Sequence, residues 1–262
     1  MDEIGRKYLR LLNPGMGTEN IGPLIYNLIQ IIRPTNVLEV GLGYSTALIA
    51  EGLFKSKTNF EKERKSLLNF YGHKKYINKE ELSYIKNLNP EYYLKPYKPI
   101  HICIDNFSLE NSNAKLVLNE LKKNDLLKQI FLIKSDFRKK SKEIQNKFGK
   151  INFIWFDCGG PLEYQDFINE YWTIVENDGY LLFHFTFSYT FEILDFEKNS
   201  KNKMSKMTEN KNYSFIYEKI KNDLYLFLNR KKMKYEVVSL VEPHKQRQSS
   251  ITIVKKLPQS GK

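Results

Sequence analysis

The chain has 262 residues, 41% of them hydrophobic, which is enough to form the core of one α/β domain. No apolar run approaches the ~18 residues of a membrane helix, and the N-terminal stretch lacks the apolar centre of a signal peptide, so we expect a cytoplasmic protein without membrane contact. The net charge of +12 is concentrated in residues 55–98 and 198–212. Lysines that solvate loops are the simpler explanation, and an anionic substrate or partner is the alternative.

Apolar residues at helical spacing begin at Pro23 and continue to Arg33, where Pro34 ends the helix. Farther along, strand-like apolar runs alternate with amphipathic helical patterns. Strands are predicted at 36–43, 101–105, 129–136, 151–157 and 179–185, and helices at 44–54, 112–123, 138–148 and 162–177. This alternation predicts a mainly parallel sheet with helices on both faces.

The last part of the sequence departs from this alternation. A predicted helix at 213–230 precedes two strands, 235–243 and 249–256, whose short connection indicates an antiparallel hairpin. With no internal repeat and no linker, residues 1–262 are predicted to form a single domain with an N-terminal helical segment at 1–35. The fold class is therefore an α/β, Rossmann-like, seven-stranded sheet that is mainly parallel and carries an antiparallel C-terminal hairpin.

A glycine-rich turn follows the first predicted strand, in the sequence LEVGLGYSTALIA. Gly41 and Gly43 permit a tight turn and a close approach of the backbone to a ligand, and the N–H groups of the next helix follow directly. Glu39 stands two residues before the first glycine. Thr46 occupies the third position of the dinucleotide fingerprint, where glycine is expected, and this disfavours a nicotinamide dehydrogenase.

These residues resemble the class I S-adenosylmethionine (SAM)-dependent methyltransferases, and among them the catechol and caffeoyl-CoA O-methyltransferase-like group. The similar stretch is MGTENIGPLIYNLIQIIRPTNVLEVGLGYSTALIA, and the resemblance covers most of residues 16–185 apart from one insertion. The hairpin at 235–255 agrees with the sheet of that family. The resemblance implies an enzyme that binds SAM as its cofactor and transfers the methyl group.

The resemblance also implies which residues contact the cofactor. The methionine portion is expected on the glycine loop, the ribose hydroxyls at an acid that ends the second strand, and the adenine at the end of the third strand, with Phe137 or Phe107 as stacking partner. For the acids a helix N-cap is the alternative, and for the phenylalanines core packing. The implied set is Glu39, Gly41, Gly43, Tyr44 and Ser45 on the loop, Asp105 for the ribose, and Ser135, Asp136 and Phe137 for the adenine.

An insertion separates the glycine loop from the ribose-binding acid. Gly43 and Asp105 lie 62 positions apart, whereas about 20 are expected. The extra residues, about 55–98, are rich in lysine and tyrosine. The insertion is expected to start from the cofactor-binding edge of the sheet, where it would form a lid over the site or a partner surface; a small helical subdomain explains the tyrosines equally well.

Asp157 ends the fourth strand, where the family has an active-site acid. In the metal-dependent members this acid joins an Asp-Asn pair to bind a divalent cation, but His184 and Phe185 occupy the corresponding positions here. Phenylalanine cannot bind a cation and imidazole is a poor ligand for magnesium, so we predict no metal site. His184 then becomes the candidate general base, the alternative being a strand-end histidine satisfied by the backbone.

The acceptor is expected to be a hydroxyl or amine of a small molecule, and both an anionic and an aromatic acceptor stay open. Asp157 is followed by Cys-Gly-Gly-Pro, and this lacks the two prolines and aromatic residue that are typical of nucleobase amine methyltransferases. An RNA methyltransferase, or a noncatalytic nucleic-acid-binding relative of the same fold, is the main alternative. A dehydrogenase is the other.

Overall fold

The computed structural model describes residues 3–13, 17–70, 90–109, 112–158, 161–184, 224, 228–229, 233–242, 244–245 and 250–258. The helices are α1 (Glu3–Lys7), α2 (Ile21–Ile32), α3 (Tyr44–Phe70), α4 (Pro90–Leu94), α5 (Ala114–Lys123), α6 (Ser141–Phe148) and α7 (Pro161–Tyr171). The strands are β1 (Asn36–Val40), β2 (Ile100–Asp105), β3 (Ile130–Lys134), β4 (Ile151–Phe156), β5 (Val175–His184), β6 (Tyr235–Val241) and β7 (Ser250–Lys256). Short 3-10 turns lie at Leu9–Leu11 and Leu127–Gln129.

The seven strands form one sheet in the order β3-β2-β1-β4-β5-β7-β6. Strands β1 to β5 run parallel, and β7 pairs antiparallel with both β5 and β6. The predicted fold class is confirmed. The strand order reverses at β1, because the chain moves from β1 outward to β3 and then returns to the other side of β1 with β4. A crevice at such a reversal is the usual ligand position in open α/β sheets.

Both faces of the sheet are covered by helices, as the strand patterns require. Helices α2 and α3 pack on one face, against Val37, Phe153 and Leu182. Helices α6 and α7 pack on the other face, against residues that include Leu38 and Ile154. Adjacent residues of each central strand therefore enter two different layers of the core.

Helix α2 matches its prediction closely. Ile21, Ile25 and Ile29 are buried on one side of it, and Pro23 lies in the first turn, where no intrahelical donor is needed. The helix ends at Arg33, whose left-handed φ of 50° lets its amide bond the Ile29 carbonyl just before Pro34.

The boundary between α7 and β5 differs from the sequence prediction of a helix at 162–177 and a strand at 179–185. The helix stops at Tyr171, and β5 already begins at Val175, which pairs with Ile151 ahead of a bulge. Residues 176–178 are polar and exposed, so the start of this strand carries no apolar signal. Phe185 lies outside the described residues.

Helix α3 also departs from the prediction, because it continues from Tyr44 to Phe70 instead of ending at residue 54. Ser56 and Phe60 are buried and prolong its inner face into the predicted insertion. A helix of 27 residues is about 40 Å long, so the first part of the insertion is carried away from the glycine loop.

The described part of the insertion is anchored at the amino ends of the strands. The Tyr97 hydroxyl donates to the Pro34 carbonyl at 2.8 Å, and the Arg33 guanidinium forms two hydrogen bonds of 2.6 Å with Glu63. This ion pair lowers the pKa of Glu63. Residues 55–70 and 90–98 are therefore no lid over the carboxyl ends of the strands. Residues 71–89 lie outside the described part.

The predicted hairpin is confirmed as β6 and β7, whereas the predicted helix at 213–230 falls almost entirely outside the described residues. In the described part of the chain, every helix is too short or too polar to cross a membrane.

Candidate functional site

A cavity of about 380 Å³ opens at the carboxyl ends of the central parallel strands, where the strand order reverses. Its size falls within the range of small-molecule sites. The described residues that line it come from five strand ends and from the segment before α2. They are Asn13, Thr18, Val40, Gly41, Leu42, Gly43, Tyr44, Ile104, Asp105, Asn106, Ser108, Leu109, Ser112, Asn113, Ser135, Asp136, Phe137, Asp157, Cys158 and His184.

Gly41 is the residue that shapes the turn after β1. Its φ is +93°, and a Cβ added there would lie 2.4 Å from the carbonyl oxygen of Asp157. Its amide bonds the Ile104 carbonyl at 2.9 Å. The turn is therefore pressed between the ends of β2 and β4, and only glycine has both the backbone freedom and the missing side chain that this position demands.

Gly43 directly precedes helix α3, and its amide is capped by Thr46. The Gly43 amide donates to Oγ1 of Thr46 at 3.0 Å, while the Thr46 amide donates to the Gly43 carbonyl at 3.1 Å. The threonine that departs from the dinucleotide fingerprint thus stabilises the start of the helix. A Cβ on Gly43 would meet no atom within 4 Å, because this residue faces the open cavity.

Asp105 ties the glycine turn to the end of β2. Its Oδ2 accepts a hydrogen bond of 2.7 Å from the Leu42 amide, and its Oδ1 accepts one of 2.6 Å from the Phe107 amide. Helix α5 begins only at Ala114, so Asp105 is not a helix N-cap. Each carboxylate oxygen has two lone pairs, which leaves acceptor capacity toward the cavity that Asp105 lines.

The end of β3 supplies Ser135, Asp136 and Phe137 to the cavity wall. Asp136 accepts from the Arg138 amide at 2.8 Å and pairs with its guanidinium at 3.2 Å, and it lies five residues before α6, so it is no N-cap either. Phe137 is only 2% exposed, and its ring packs edge-on against Phe156. Core packing therefore buries most of the Phe137 ring.

Phe107, the other candidate stacking partner, is absent from the described wall of the cavity. Its backbone has a positive φ of 55°, and the Lys134 ammonium lies 5.8 Å from the centre of its ring. Its neighbours Asn106 and Ser108 line the cavity in its place.

Asp157 and His184 form a hydrogen-bonded pair at the ends of β4 and β5. Nδ1 of His184 lies 2.7 Å from Oδ1 of Asp157, and both residues line the cavity. An ionised carboxylate only accepts, so the imidazole donates to it through Nδ1, and in the neutral ring the basic lone pair then lies on Nε2. The Tyr164 hydroxyl bonds the His184 carbonyl. The ring is thus oriented by a side chain, contrary to the alternative of a histidine satisfied by the backbone alone.

Glu39 and Ser45 lie beneath the glycine turn and outside the described cavity wall. Both are buried, and the Ser45 hydroxyl donates to Oε1 of Glu39 at 2.8 Å. The Trp155 indole donates to the same hydroxyl at 3.0 Å, and Nε2 of His101 lies 2.9 Å from Oε2 of Glu39. The two loop residues hold the turn from below.

Cys158 follows Asp157 in the cavity wall, and burial, reinforced by Asp105 and other nearby carboxylates, raises the pKa of its thiol to about 11. The thiol is therefore protonated and a weak nucleophile at neutral pH.

Sequence reasoning missed several parts of the site. Asn13 and Thr18 reach the cavity from the segment before α2, and Leu109, Ser112 and Asn113 reach it from the connection after β2. Thr18 lies in the stretch 16–50 on which the family resemblance is based, and Ser112 and Asn113 fall in the helix predicted at 112–123, but nothing in the sequence marks them as cavity residues. Asn13 and Leu109 belong to loops without periodicity or motif. His101 is missed for another reason, since its partner Glu39 lies on a neighbouring strand 62 residues earlier.

No protein-family model matches the chain, and no curated protein matches it. Among solved structures, the chain is similar to the O-methyltransferase TomG from Streptomyces achromogenes, involved in tomaymycin synthesis and solved with SAM, at 10% identity and a TM-score of 0.55, over 98% of this chain and 91% of TomG.

Two further structures show the same similarity. One is the O-methyltransferase from Bacillus cereus solved with S-adenosylhomocysteine (SAH), at 12% identity and a TM-score of 0.57, over 98% of this chain and 91% of that one. The other is the SAH-bound methyltransferase PaMTH1 from Podospora anserina, at 12% identity and a TM-score of 0.55, over 98% and 89% of the two chains. The chain therefore has the fold of the class I SAM-dependent O-methyltransferases.

Proposed function

We propose that this protein is a SAM-dependent methyltransferase and that its cofactor binds in the cavity at the ends of β1 to β5. The observation that carries the proposal is the meeting of three features in one cavity: the glycine turn at Gly41, the carboxylate of Asp105, and the pair of Asp157 and His184. Structures with the same fold were solved with SAM or SAH, which supports the choice of cofactor.

The methionine portion of SAM lies, in this proposal, along Gly41, Gly43 and Tyr44. The space where Gly43 lacks a Cβ is empty, with no atom within 4 Å, so the cofactor can approach the backbone at this point. Glu39 and Ser45 act indirectly, by holding the turn, since neither belongs to the described wall.

Asp105 is proposed to bind the ribose. A carboxylate suits a vicinal diol because it only accepts hydrogen bonds, and the two amides of Leu42 and Phe107 fix its orientation before the cofactor arrives. Ser135 and Asp136 are proposed to bind the adenine, with the edge of Phe137 as an apolar contact.

His184 is proposed as the general base, oriented by Asp157. SAM bound in this cavity would supply an electrophilic methyl group, which the acceptor oxygen or nitrogen would take in line with the carbon–sulfur bond, leaving SAH. Nε2 of His184 would take the proton that the acceptor gives up. Alignment supplies up to roughly 7–11 kcal/mol of the rate enhancement, and a base adds about 10²- to 10⁴-fold.

The proposed reaction is independent of metal, because the residues at the end of β4 and β5 do not suit a magnesium ion. A hard cation prefers several oxygen ligands, whereas here one oxygen of Asp157 is bonded to an imidazole. Among the residues that the structure describes, Glu39, His101 and Cys103 form a close group of three potential metal ligands, and this group is separate from the cavity wall.

The proposed acceptor is a hydroxyl or amine of a small molecule. The described wall carries three carboxylates, those of Asp105, Asp136 and Asp157, and its described residues include no Lys or Arg. These charges suit the cationic cofactor. The overall charge left an anionic acceptor open, but the described wall offers no Lys or Arg to bind one. An aromatic acceptor stays a prediction.

One observation keeps a nucleic-acid role as the second candidate. A groove of about 340 Å³ at the far end of α3 is lined by Lys57, Arg64, Lys65 and Lys98, with Phe60 and Tyr97 among its other residues. Its four basic side chains suit the phosphate backbone of a nucleic acid, whereas Phe60 and Tyr97 are buried and cannot stack on bases.

Calorimetric titration of the protein with SAM and SAH, with and without EDTA, tests the proposal. We expect binding that EDTA does not change, and binding weakened at least about tenfold in Asp105→Ala by loss of charge-assisted hydrogen bonds. Glu236→Ala, which removes an exposed carboxylate on β6, is the matched control and should bind normally. Absence of SAH binding, together with salt-dependent binding of a single-stranded RNA, would favour the second candidate.

A further inference from the structure

A polar chain of side chains crosses the core beneath the glycine turn. His101 on β2, Glu39 on β1, Ser45 in the first turn of α3 and Trp155 on β4 are joined by contacts of 2.9, 2.8 and 3.0 Å. All four side chains are buried. The chain links three neighbouring strands to the helix that begins the cofactor loop.

Glu39 is the centre of this arrangement. Its carboxylate is fully buried, and a buried carboxylate needs hydrogen-bond donors or an opposite charge to offset the loss of water. Ser45 satisfies Oε1, and His101 satisfies Oε2 through its Nε2 hydrogen. The Cys103 thiol, 3.7 Å from Oε2, adds only a weak contact.

A metal ion is the other use of such a group, because Glu39, His101 and Cys103 bring three ligand atoms together. Two observations disfavour it. Among the described residues, Nδ1 of His101 has no hydrogen-bond partner, whereas a histidine that binds a metal usually donates its second N–H to an acceptor. Burial also raises the pKa of the Cys103 thiol well above its ordinary value, so the free protein holds this sulfur protonated.

We propose that His101 is a positioning residue for the cofactor loop, acting through Glu39 and Ser45. His101 fixes the Glu39 carboxylate, the carboxylate holds the Ser45 hydroxyl, and Ser45 keeps the first turn of α3 where Gly43 and Tyr44 line the cavity. Only the measurement of SAH binding depends on the proposed function, because the order of the loop in the free protein can be measured without a ligand.

The test compares His101→Leu, which removes the donor, with His101→Gln, which keeps one. The free proteins are examined by hydrogen exchange at the amides of residues 41–46, and SAH binding is measured by calorimetry. We expect faster exchange in the loop and SAH binding weakened about 10- to 100-fold in His101→Leu, as for the loss of a hydrogen bond to a charged group. His101→Gln should recover most of both.

Ile102→Ala is the matched control, because it weakens the same strand from its opposite face and does not contact Glu39. If this variant loses as much stability as His101→Leu and also as much SAH affinity, affinity merely follows stability and the proposal is overturned. Unchanged loop exchange in His101→Leu overturns it as well. So does one equivalent of zinc in the purified protein that disappears in Cys103→Ala.

The two proposals fail differently. If the wild-type protein does not bind SAH, the proposed function is wrong, and the hydrogen exchange of residues 41–46 still decides whether His101 orders the loop. If SAH binds but His101→Leu binds it normally, only the positioning role is wrong. Should His101→Leu fail to fold, His101→Gln and Ser45→Ala, which breaks the same chain nearer the loop, provide the comparison, and normal exchange in Ser45→Ala overturns the role.

Discussion

Nδ1 of His184 lies 2.7 Å from Oδ1 of Asp157, and the two residues follow the paired positions Phe156 and Phe183 at the ends of neighbouring parallel strands. Parallel pairing therefore brings together side chains that are 27 residues apart. The pair fixes the tautomer of the neutral imidazole. Nδ1 carries the hydrogen that is shared with Asp157, and Nε2 is the basic nitrogen.

Replacing His184 should separate catalysis from binding. We expect His184→Ala to lower kcat about 10²- to 10⁴-fold, the usual contribution of a general base, while SAH binds within about threefold of the wild type. Asp157→Asn, which no longer favours the Nδ1–H tautomer, should lower kcat in the same direction. Steady-state kinetics with a responsive acceptor, together with SAH calorimetry, measures both. A normal kcat in His184→Ala would show that alignment alone drives the reaction.

Gly41 and Gly43 should respond differently to the same added methyl group. Gly41→Ala places a Cβ against the Asp157 carbonyl at a φ of +93°, so we expect a loss of about 1–3 kcal/mol in the free energy of unfolding. Gly43→Ala meets no atom within 4 Å and should fold with normal stability, but it should bind SAH more weakly because the methyl group enters the cavity. Urea denaturation and calorimetry distinguish the two. Equal stability of both variants would contradict the structure of the turn.

The thiol of Cys158 should be slow to alkylate near neutral pH. Burial and the surrounding carboxylates raise its pKa to about 11, so the reactive thiolate is scarce at pH 7 and its fraction grows as the pH rises toward 11. Iodoacetamide labelling followed by peptide mass spectrometry gives the rate, and Cys158→Ser gives the background. SAH should slow the labelling, since Cys158 lines the cavity. Rapid labelling at pH 7 would contradict the raised pKa.

The C-terminal end of the insertion, at Tyr97, should affect the free energy of unfolding but not the affinity for the cofactor. Tyr97→Phe removes the hydroxyl that donates to the Pro34 carbonyl, and we expect a loss of about 0.5–1.5 kcal/mol in the free energy of unfolding. SAH affinity should stay within about twofold, because this contact lies at the amino ends of the strands. A large loss of SAH affinity in this variant would mean that the insertion reaches the cavity after all.

The sequence was sufficient to predict the strands whose apolar runs end in a polar or glycine residue. The strand predicted at 36–43 ends at Val40, just before the glycine turn, and those predicted at 101–105 and 151–157 end at Asp105 and Phe156. Parallel strands bring such ends to one edge. The cavity could therefore be predicted from these residues. The connection between His184 and Asp157 was not predicted, although both residues were, because contact between side chains depends on register.

Other features could not be predicted because their signals are three-dimensional. Strand β5 begins at Val175 through its pairing with Ile151, a long-range contact that outweighs the polar local sequence. Helix α3 continues to Phe70 because Phe60 packs on tyrosines of the insertion, and no periodicity before residue 55 indicates this. In the sequence His101 is an ordinary strand residue, because its contact with Glu39 on the neighbouring strand exists only in the folded protein.

The position of β7 between β5 and β6 has a consequence for how the chain folds. Leu182 on β5 pairs with Ile253 on β7, so this contact closes a loop of about 70 residues, whereas the pairing of Val37 on β1 with Phe153 on β4 closes one of about 116 residues. Contacts between distant residues form slowly. We therefore expect the hairpin to dock on β5 before β1 and β4 pair, so that the glycine turn and Asp157 meet late in folding.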